Sequence, residues 1–274
     1  MTDLISVIVA AYNREDALDA VLRSLAAQTD RDFEVVIADD GSGPAVARCV
    51  EAWAARFPVP LRHVWQEDRG FRAAEARNRA ILESRGAYVV FLDADCLARP
   101  DFVARHRALA ERGWFVCGNR VLLSAEFTAQ VLREKLTPER WGIAQWIGAR
   151  LRGGVNRLVA LWHLPLGPLR RLRRDKWQGA RSCNLAVWRA DLDAVDGFDA
   201  DYVGWGKEDS DVIVRLLHAG ARRLDGNFAT GVVHLWHPEA DRSALTDNER
   251  KLGAIVTGRG VRARRGLSAL RAEA

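Results

Sequence analysis

The chain has 274 residues, 49% of them hydrophobic, enough to bury one large core, so we expect one main domain with an inserted or appended segment. A net charge of +5 is too modest to mark a nucleic-acid binder by itself, and the best apolar run, residues 158–169, contains His163 and two prolines and falls short of the ~18 residues a membrane helix needs. Four scattered cysteines, Cys49, Cys96, Cys117 and Cys183, form no CxxC pair, which predicts reduced, mostly buried thiols rather than a zinc site or a disulfide framework.

The N-terminal stretch MTDLISVIVAAYNRED has no basic leader and reads as the start of a folded domain, not a signal peptide. Residues 4–10 are a short, β-branched apolar run, a strand buried on both faces. Asn13 is the expected N-cap of the next helix, with Asp16 at its N3 position and Ala17, Leu18, Val21, Leu22 and Leu25 at helical spacing. A second strand over 33–38 ends in Asp39-Asp40-Gly41-Ser42-Gly43, and Pro44 opens the following helix, where its missing N–H costs nothing. A third strand over 61–65, a helix over 73–84 and a strand over 88–92 complete the pattern. Such alternation predicts an α/β fold with a mostly parallel central sheet and helices on both faces, and it sends ligands to the carboxyl ends of the strands. Those ends carry Ala11-Tyr12-Asn13, Asp39-Asp40, residues 66–69 and Asp93-Ala94-Asp95.

Two carboxylates flanking one alanine can face the same crevice and attract a hard divalent cation such as magnesium or manganese. Taken alone, Asp93 could cap a turn and Asp95 lead toward the helix after Pro100, but the place of the pair at the end of a buried strand favours the metal reading. A second acidic cluster, GWGKEDSD at 204–211, sets Glu208 beside Asp209 with Asp211 close behind, an arrangement that needs a cation, a proton to move, or open water.

The segments SVIVAAYNRED, VVIADDGS, EARNRAI and VVFLDADC together resemble the inverting nucleotide-sugar glycosyltransferases of family 2, which have the GT-A fold. The stretch from Cys183 to Arg222, with its GWGKEDSD, resembles the C-terminal module of beta-1,4-galactosyltransferases and bacterial chondroitin-type polymerases. The resemblance covers most of residues 4–125 and 180–237. It implies that Asp39 and Asp40 read the nucleotide base beside Ala11 and Tyr12, that Arg77 helps hold the donor, and that Asp95 binds Mn2+ or Mg2+ with Asp93 supporting it or touching the ribose. A third metal ligand is implied near the end of the domain, with His234 favoured and His237 as the alternative. It also implies Asp209 as general base, Glu208 on the acceptor hydroxyls and Trp205 stacked on an acceptor ring. Gly204 and Gly206 let the chain turn, and Asp211 belongs to the first turn of the next helix. Lys207 and Ser210 differ from the galactosyltransferase pattern, so sugar specificity is not carried over.

The expected organisation is a transferase domain over 1–240 and a basic tail over 241–274. Within the domain, 1–125 is the nucleotide-sugar half, 126–178 a helical, basic, Trp-rich insert, and 179–240 the acceptor-binding and catalytic half. The insert carries Trp141, Trp146, Trp162 and Trp177, with an apolar stripe from Ile143 through Trp146, Ile147 and Leu151 to Leu158, Leu161 and Trp162. Such a stripe suits packing over the acceptor cleft or lying on a membrane, and the arginine runs there and at Arg259, Arg262, Arg264, Arg265 and Arg271 attract anions. The expectation is a cytoplasmic enzyme with a UDP-sugar donor, a saccharide or lipid-linked saccharide acceptor, a peripheral contact with the inner membrane and no nucleic acid. Its expected role is bacterial cell-surface polysaccharide or lipopolysaccharide synthesis. The competing class is a non-catalytic carbohydrate- or membrane-binding module on a degenerate transferase fold. A nucleotidyltransferase would explain Asp93 and Asp95 but leave GWGKED without a task.

Overall fold

Successive residues of the first strand feed opposite cores. In the computed structural model, which describes residues 3–273, Val7 and Val9 of β1 (Ile5–Ala11) enter one hydrophobic cluster and Ile8 enters the other. The same alternation holds in β2 (Phe33–Asp39), and β3 (Leu61–Trp65) follows at the sheet edge. In β4 (Tyr88–Asp93), Val90 and Leu92 oppose Val89 and Phe91. A strand buried on both faces has no room for a polar stripe, which is why these runs read as continuously apolar. The remaining strands are β5 (Cys96–Leu97), β6 (Trp114–Cys117), β7 (Arg120–Leu122), β8 (Asn184–Trp188), β9 (Arg222–Asp225) and β10 (Val232–His234).

The main sheet has seven strands in the order β3-β2-β1-β4-β8-β6-β9, all parallel except β8, which runs against both neighbours. Helices α1 (Glu15–Ala26), α2 (Pro44–Ala54), α3 (Ala73–Glu83), α4 (Phe102–Leu109), α5 (Ala125–Arg133), α6 (Ile143–Leu151), α7 (Arg189–Ala194), α8 (Glu208–His218), α9 (Leu245–Thr257) and α10 (Leu267–Glu273) surround it. The register sets Ala11 opposite Asp39 and Ala10 opposite Asp93, so the carboxyl ends of β1, β2 and β4 share one edge. A second, three-stranded sheet in the order β5-β10-β7 stands beyond that edge, with His234 paired across from Cys96.

The predicted strands and helices of the first ninety-odd residues are present, but Asn13 does not cap α1. It sits at φ 46°, accepts from Gly43 N at 2.9 Å through its side chain, and donates its backbone N–H to Ser42 Oγ at 3.0 Å. The left-handed turn at Asn13 thus ties the loop after β1 to the loop after β2, and α1 begins only at Glu15. Gly41 serves the same edge: at φ +92° it lets the Asp68 backbone approach to where a Cβ would lie 2.5 Å from Asp68 Cα.

The insert is less helical than its apolar stripe suggests. Helix α6 stops at Leu151, Gly153 turns at φ 74°, and Leu161 and Trp162 follow in and after a short 3-10 turn over Val159–Leu161. Nor is the C-terminal tail a free basic patch. Arg265 pairs with Glu75 at 2.5 Å, Arg271 with Asp193 at 2.8 Å and Arg262 with Asp196 at 3.5 Å, while Leu267 is fully buried. Three of the five arginines from Arg259 to Arg271 are thus paired at the surface, while Arg259 and Arg264 are exposed.

All four cysteines are free, three of them buried. Helix α8 is anchored by a fully buried ion pair in which Arg215 Nε donates to Asp211 Oδ2 at 2.7 Å and Arg215 Nη1 donates to the carbonyls of Val195 and Gly197. Asp211 therefore belongs to the helix, with a partner one turn on. Asp211→Ala leaves this guanidinium without its counter-charge and should cost about 3–5 kcal/mol in urea unfolding. Asp211→Ala combined with Arg215→Met should recover much of that loss.

Candidate active site

Asp95 follows β4 directly and precedes β5, so the antiparallel pairing of β5 with β10 decides what it meets. Because His234 lies opposite Cys96 and the N–H of Leu235 donates to the Asp95 carbonyl at 2.8 Å, both histidines of the 234–237 segment are delivered to the Asp95 carboxylate. His234 Nε2 lies 3.5 Å from Asp95 Oδ1 and His237 Nε2 lies 3.4 Å from Oδ2. The ligand atoms of Asp95, His234 and His237 all fall within 4.8 Å of one another. The two histidines, alternatives in the sequence, thus converge on one carboxylate.

The donor chemistry fits a divalent ion. His237 Nδ1 is 2.7 Å from the Pro238 carbonyl, which can only accept; Nδ1 therefore carries the proton and Nε2 presents its lone pair. Burial pulls His234 down to about 4, with Arg120 and His237 adding to the effect and Asp95 opposing it, so its ring is neutral at pH 7. Two imidazole nitrogens beside one carboxylate suit manganese better than magnesium, which prefers an all-oxygen shell.

Asp93 is placed differently from Asp95. Its Oδ1 accepts from Arg77 Nη2 at 3.2 Å, and Arg77 Nη1 donates at 3.2 Å to Glu208 Oε1. Arg77 is only 4% exposed. Burial works against its charge, but Asp93, Glu208 and Asp209 more than offset that and raise its pKa. The resemblance assigns Arg77 to the donor. In the structure its guanidinium bonds two carboxylates, one at the end of β4 and one at the start of α8. Asp93 is held by that guanidinium and stands outside the Asp95–His234–His237 group.

The loop from Gly204 to Lys207 explains how α8 presents its acids. Gly204, Gly206 and Lys207 all have positive φ, at 76°, 104° and 78°, and Gly204 has no room for a side chain because a Cβ would lie 2.5 Å from that of Ala244. Lys207 holds this conformation while its Nζ pairs with Glu249 at 3.1 Å. Glu208 and Asp209 then fall in the first turn of α8, where the helix dipole favours negative charge. Burial, with Asp209 adding to it, drives Glu208 up to about 7, against the pull of Arg77. Asp209 is half-exposed, and its Oδ1 accepts from Ser210 N at 2.6 Å and from Ser210 Oγ at 3.3 Å. Ser210, an acid in the resembled motif, here fixes the neighbouring carboxylate. Trp205 is half-buried with the Arg242 guanidinium 5.0 Å from its ring centre.

At the β1–β2 edge, Asp39 and Asp40 are buried and engaged. Asp39 accepts from Ser42 N at 2.8 Å and contacts His63 Nε2 at 2.7 Å; burial pushes its pKa up, but these partners hold it below the usual carboxylate range. Asp40 accepts from Gln66 Nε2 at 2.6 Å and from Arg72 N at 2.7 Å, yet burial prevails and lifts it to about 6. Each oxygen keeps a second lone pair for a ligand. Ala11 is buried and its carbonyl accepts from Asp40 N at 3.0 Å, while Tyr12 is 48% exposed and donates to Asp68 Oδ2 at 3.1 Å.

Sequence reasoning missed Arg120. It lies on β7 within electrostatic reach of Asp93 and Asp95, and its Nη1 is 3.4 Å from Cys183 Sγ. No motif marks it; only the pairing of β7 with β10 brings it there.

Comparison with known proteins bears on the family and the fold. The N-terminal domain of galactosyltransferase matches residues 172–237. Validoxylamine A glucosyltransferase from Streptomyces hygroscopicus subsp. limoneus is 32% identical over 228 residues, covering 78% of this chain and 48% of the relative. Chondroitin synthase from Pasteurella multocida (strain Pm70) is 24% identical over 92% of this chain and 26% of its own length. The chain therefore spans about half or less of the length of these curated relatives. Among solved structures, S. aureus TarS 1-349 in complex with UDP superposes with a TM-score of 0.63 at 18% identity, over 92% of this chain and 64% of that one. Mannosyltransferase PcManGT from Pyrobaculum calidifontis, in complex with GDP-Man and Mn2+, gives 0.58 at 20% identity, over 100% and 79%. These likenesses show the GT-A fold. The glycosyl transferase family 2 profile matches residues 6–166, through much of the insert that the sequence resemblance had left out, and the chain belongs to that family.

Proposed function

We propose that the chain is a metal-dependent, inverting hexosyltransferase that moves a sugar from a UDP-sugar to a hydroxyl of a saccharide acceptor, with a place in bacterial cell-surface polysaccharide or lipopolysaccharide synthesis. The observation that carries this reading is the joining of two acidic centres across the strand ends: Asp95 with His234 and His237 on one side, Glu208 with Asp209 on the other, and Arg77 bonded to both Asp93 and Glu208 between them. The UDP complex of TarS and the glucosyltransferase name of a relative support the donor class.

Asp95, His234 and His237 would hold a divalent cation, Mn2+ or Mg2+, which when bound supplies Lewis-acid stabilisation of the charge left on the departing diphosphate. The other roles fall to the chain itself. Asp209 takes the acceptor proton: Ser210 occupies Oδ1, leaving Oδ2 to receive the hydroxyl hydrogen as the oxygen attacks the anomeric carbon from the face opposite the diphosphate. Arg77 keeps Glu208 fixed while Asp209 stays accessible, and Glu208 adjoins the acceptor hydroxyls. Trp205 offers a flat face to the acceptor ring. Tyr12, with Asp39 and Asp40 braced behind it, lines the uridine side.

Titration calorimetry with UDP, first with manganese and then with a chelator, tests the donor site. Binding should need the metal and should be lost in Asp95→Ala; equal binding with chelator would sink the metal assignment. Asp209→Asn should lower UDP-sugar turnover by about 10²–10⁴-fold while UDP binding persists. Near-normal turnover in that variant would remove Asp209 as the base.

Glu208 also makes a pH prediction. Its pKa rises from an ordinary 4.5 to about 7 on folding, so the folded state binds its proton more tightly than the unfolded chain. The stability this confers is full below pH 4.5 and is lost as pH climbs through 7. Glu208→Gln should therefore flatten the fall in unfolding free energy between about pH 5 and 8, by on the order of 2 kcal/mol.

A further inference from the structure

Helix α6 is apolar on the side that faces water as well as on the side that faces the core. Of its nine residues only Trp146 and Ala149 are buried, while Ile143, Ile147 and Leu151, spaced one turn apart along the opposite face, are 57%, 46% and 82% exposed. The helix also exposes Gln145 and Arg150, but three large apolar side chains along one line toward water are ordinarily covered, and among the described residues nothing covers these. Next to it lies a cavity of about 210 Å³ lined by Trp141, Ile143, Trp146, Leu161, Trp162 and the side chain of Arg99. Trp162 is 49% exposed at its rim, and the buried Trp146 Nε1 has no hydrogen-bond partner.

The surrounding charge is one-sided. From residue 140 to residue 174 the sequence contains eight arginines and no acid, and Arg150 in the last turn of α6 and Arg140, Arg152 and Arg157 on either side of it are all exposed. A second copy of the chain docking on this face would set the same arginines against themselves, a repulsive arrangement for a self-complementary interface. An anionic bilayer supplies what is missing: headgroup charge for the arginines, acyl boundary for the isoleucines and leucine, and an interfacial layer for the exposed tryptophan. We propose that the outer face of α6, with the Trp162 rim, is a peripheral docking surface for a membrane rich in anionic phospholipid.

The inference stands apart from the sugar-transfer reading and can fail without it. The test is flotation of the full chain with vesicles of phosphatidylcholine alone and of phosphatidylcholine mixed with phosphatidylglycerol. The chain should float with the anionic vesicles, and raised salt should weaken the association. Ile147→Glu with Leu151→Glu should reduce the bound fraction about ten-fold while leaving metal-dependent UDP binding and the unfolding temperature unchanged, because both residues face solvent and lie outside the candidate site. Arg150→Glu with Arg152→Glu should weaken binding to anionic vesicles. Absence of flotation with anionic vesicles, equal flotation with neutral ones, or undiminished flotation of the Ile147→Glu/Leu151→Glu variant would each overturn the proposal. So would a dimer in size-exclusion chromatography that this variant dissociates, since the face would then belong to a second copy.

Discussion

A single buried guanidinium sets the geometry of the candidate site. Arg77, rooted in α3, must find counter-charge because an isolated cation in the interior costs several kcal/mol, and the structure offers it Asp93 and Glu208 at equal distance. The ring of Phe198, 5.5 Å from the guanidinium carbon, gives it a face to pack on and limits where else it can go. One residue thereby fixes the end of β4 relative to the start of α8, two elements with over a hundred residues between them in the chain. With Asp209 also nearby, the negative charges outnumber the positive one. Burial, with that excess adding to it, lifts Glu208 to about 7, and the setting is one in which further cations are welcome. Arg120 on β7 is one such cation, and a divalent ion on Asp95 would be another.

How much of this could be read from the sequence depended on strand length. The strands β1, β2 and β4 are six or seven residues of largely apolar chain, and β3 completes a strand-helix alternation that local pattern locates. The strands that finish the site, β5, β7 and β10, have two or three residues each, too few for any period to register. β8 is fully buried in the centre of the sheet, yet it runs antiparallel after a long irregular stretch and has no strand-helix rhythm to announce it. Residues at the site fared in the same way. Asp95, Glu208 and Asp209 stand in motifs that name themselves, whereas the joint arrival of His234 and His237 depends on one pair of strands.

Charge was the least legible property. The arginines near the C-terminus look like an anion-binding tail when counted along the chain, but Asp196, Glu75 and Asp193 pair with three of them, Arg262, Arg265 and Arg271. The arginines of the insert look similar in sequence and differ in outcome, since the acid-free stretch around α6 gives them few partners of opposite sign. Asn13 makes the same point for backbone: its composition fits a cap, and only the neighbouring loop reveals that its side chain is used to join β1 to β2.

The pairing of β10 with β5 has a consequence for how the protein acquires activity. Asp95 and the two histidines are separated by more than a hundred residues of chain, so the candidate ligand set is a long-range contact that only the pairing of β10 with β5 completes. A growing chain can assemble β1 to β4 early, from sequence-local contacts, yet it holds only a lone carboxylate at the future metal site until the 232–237 segment threads in between β5 and β7. A chain cut short before β10 would carry Asp95 and the strands β1 to β4 with neither histidine of the candidate metal site.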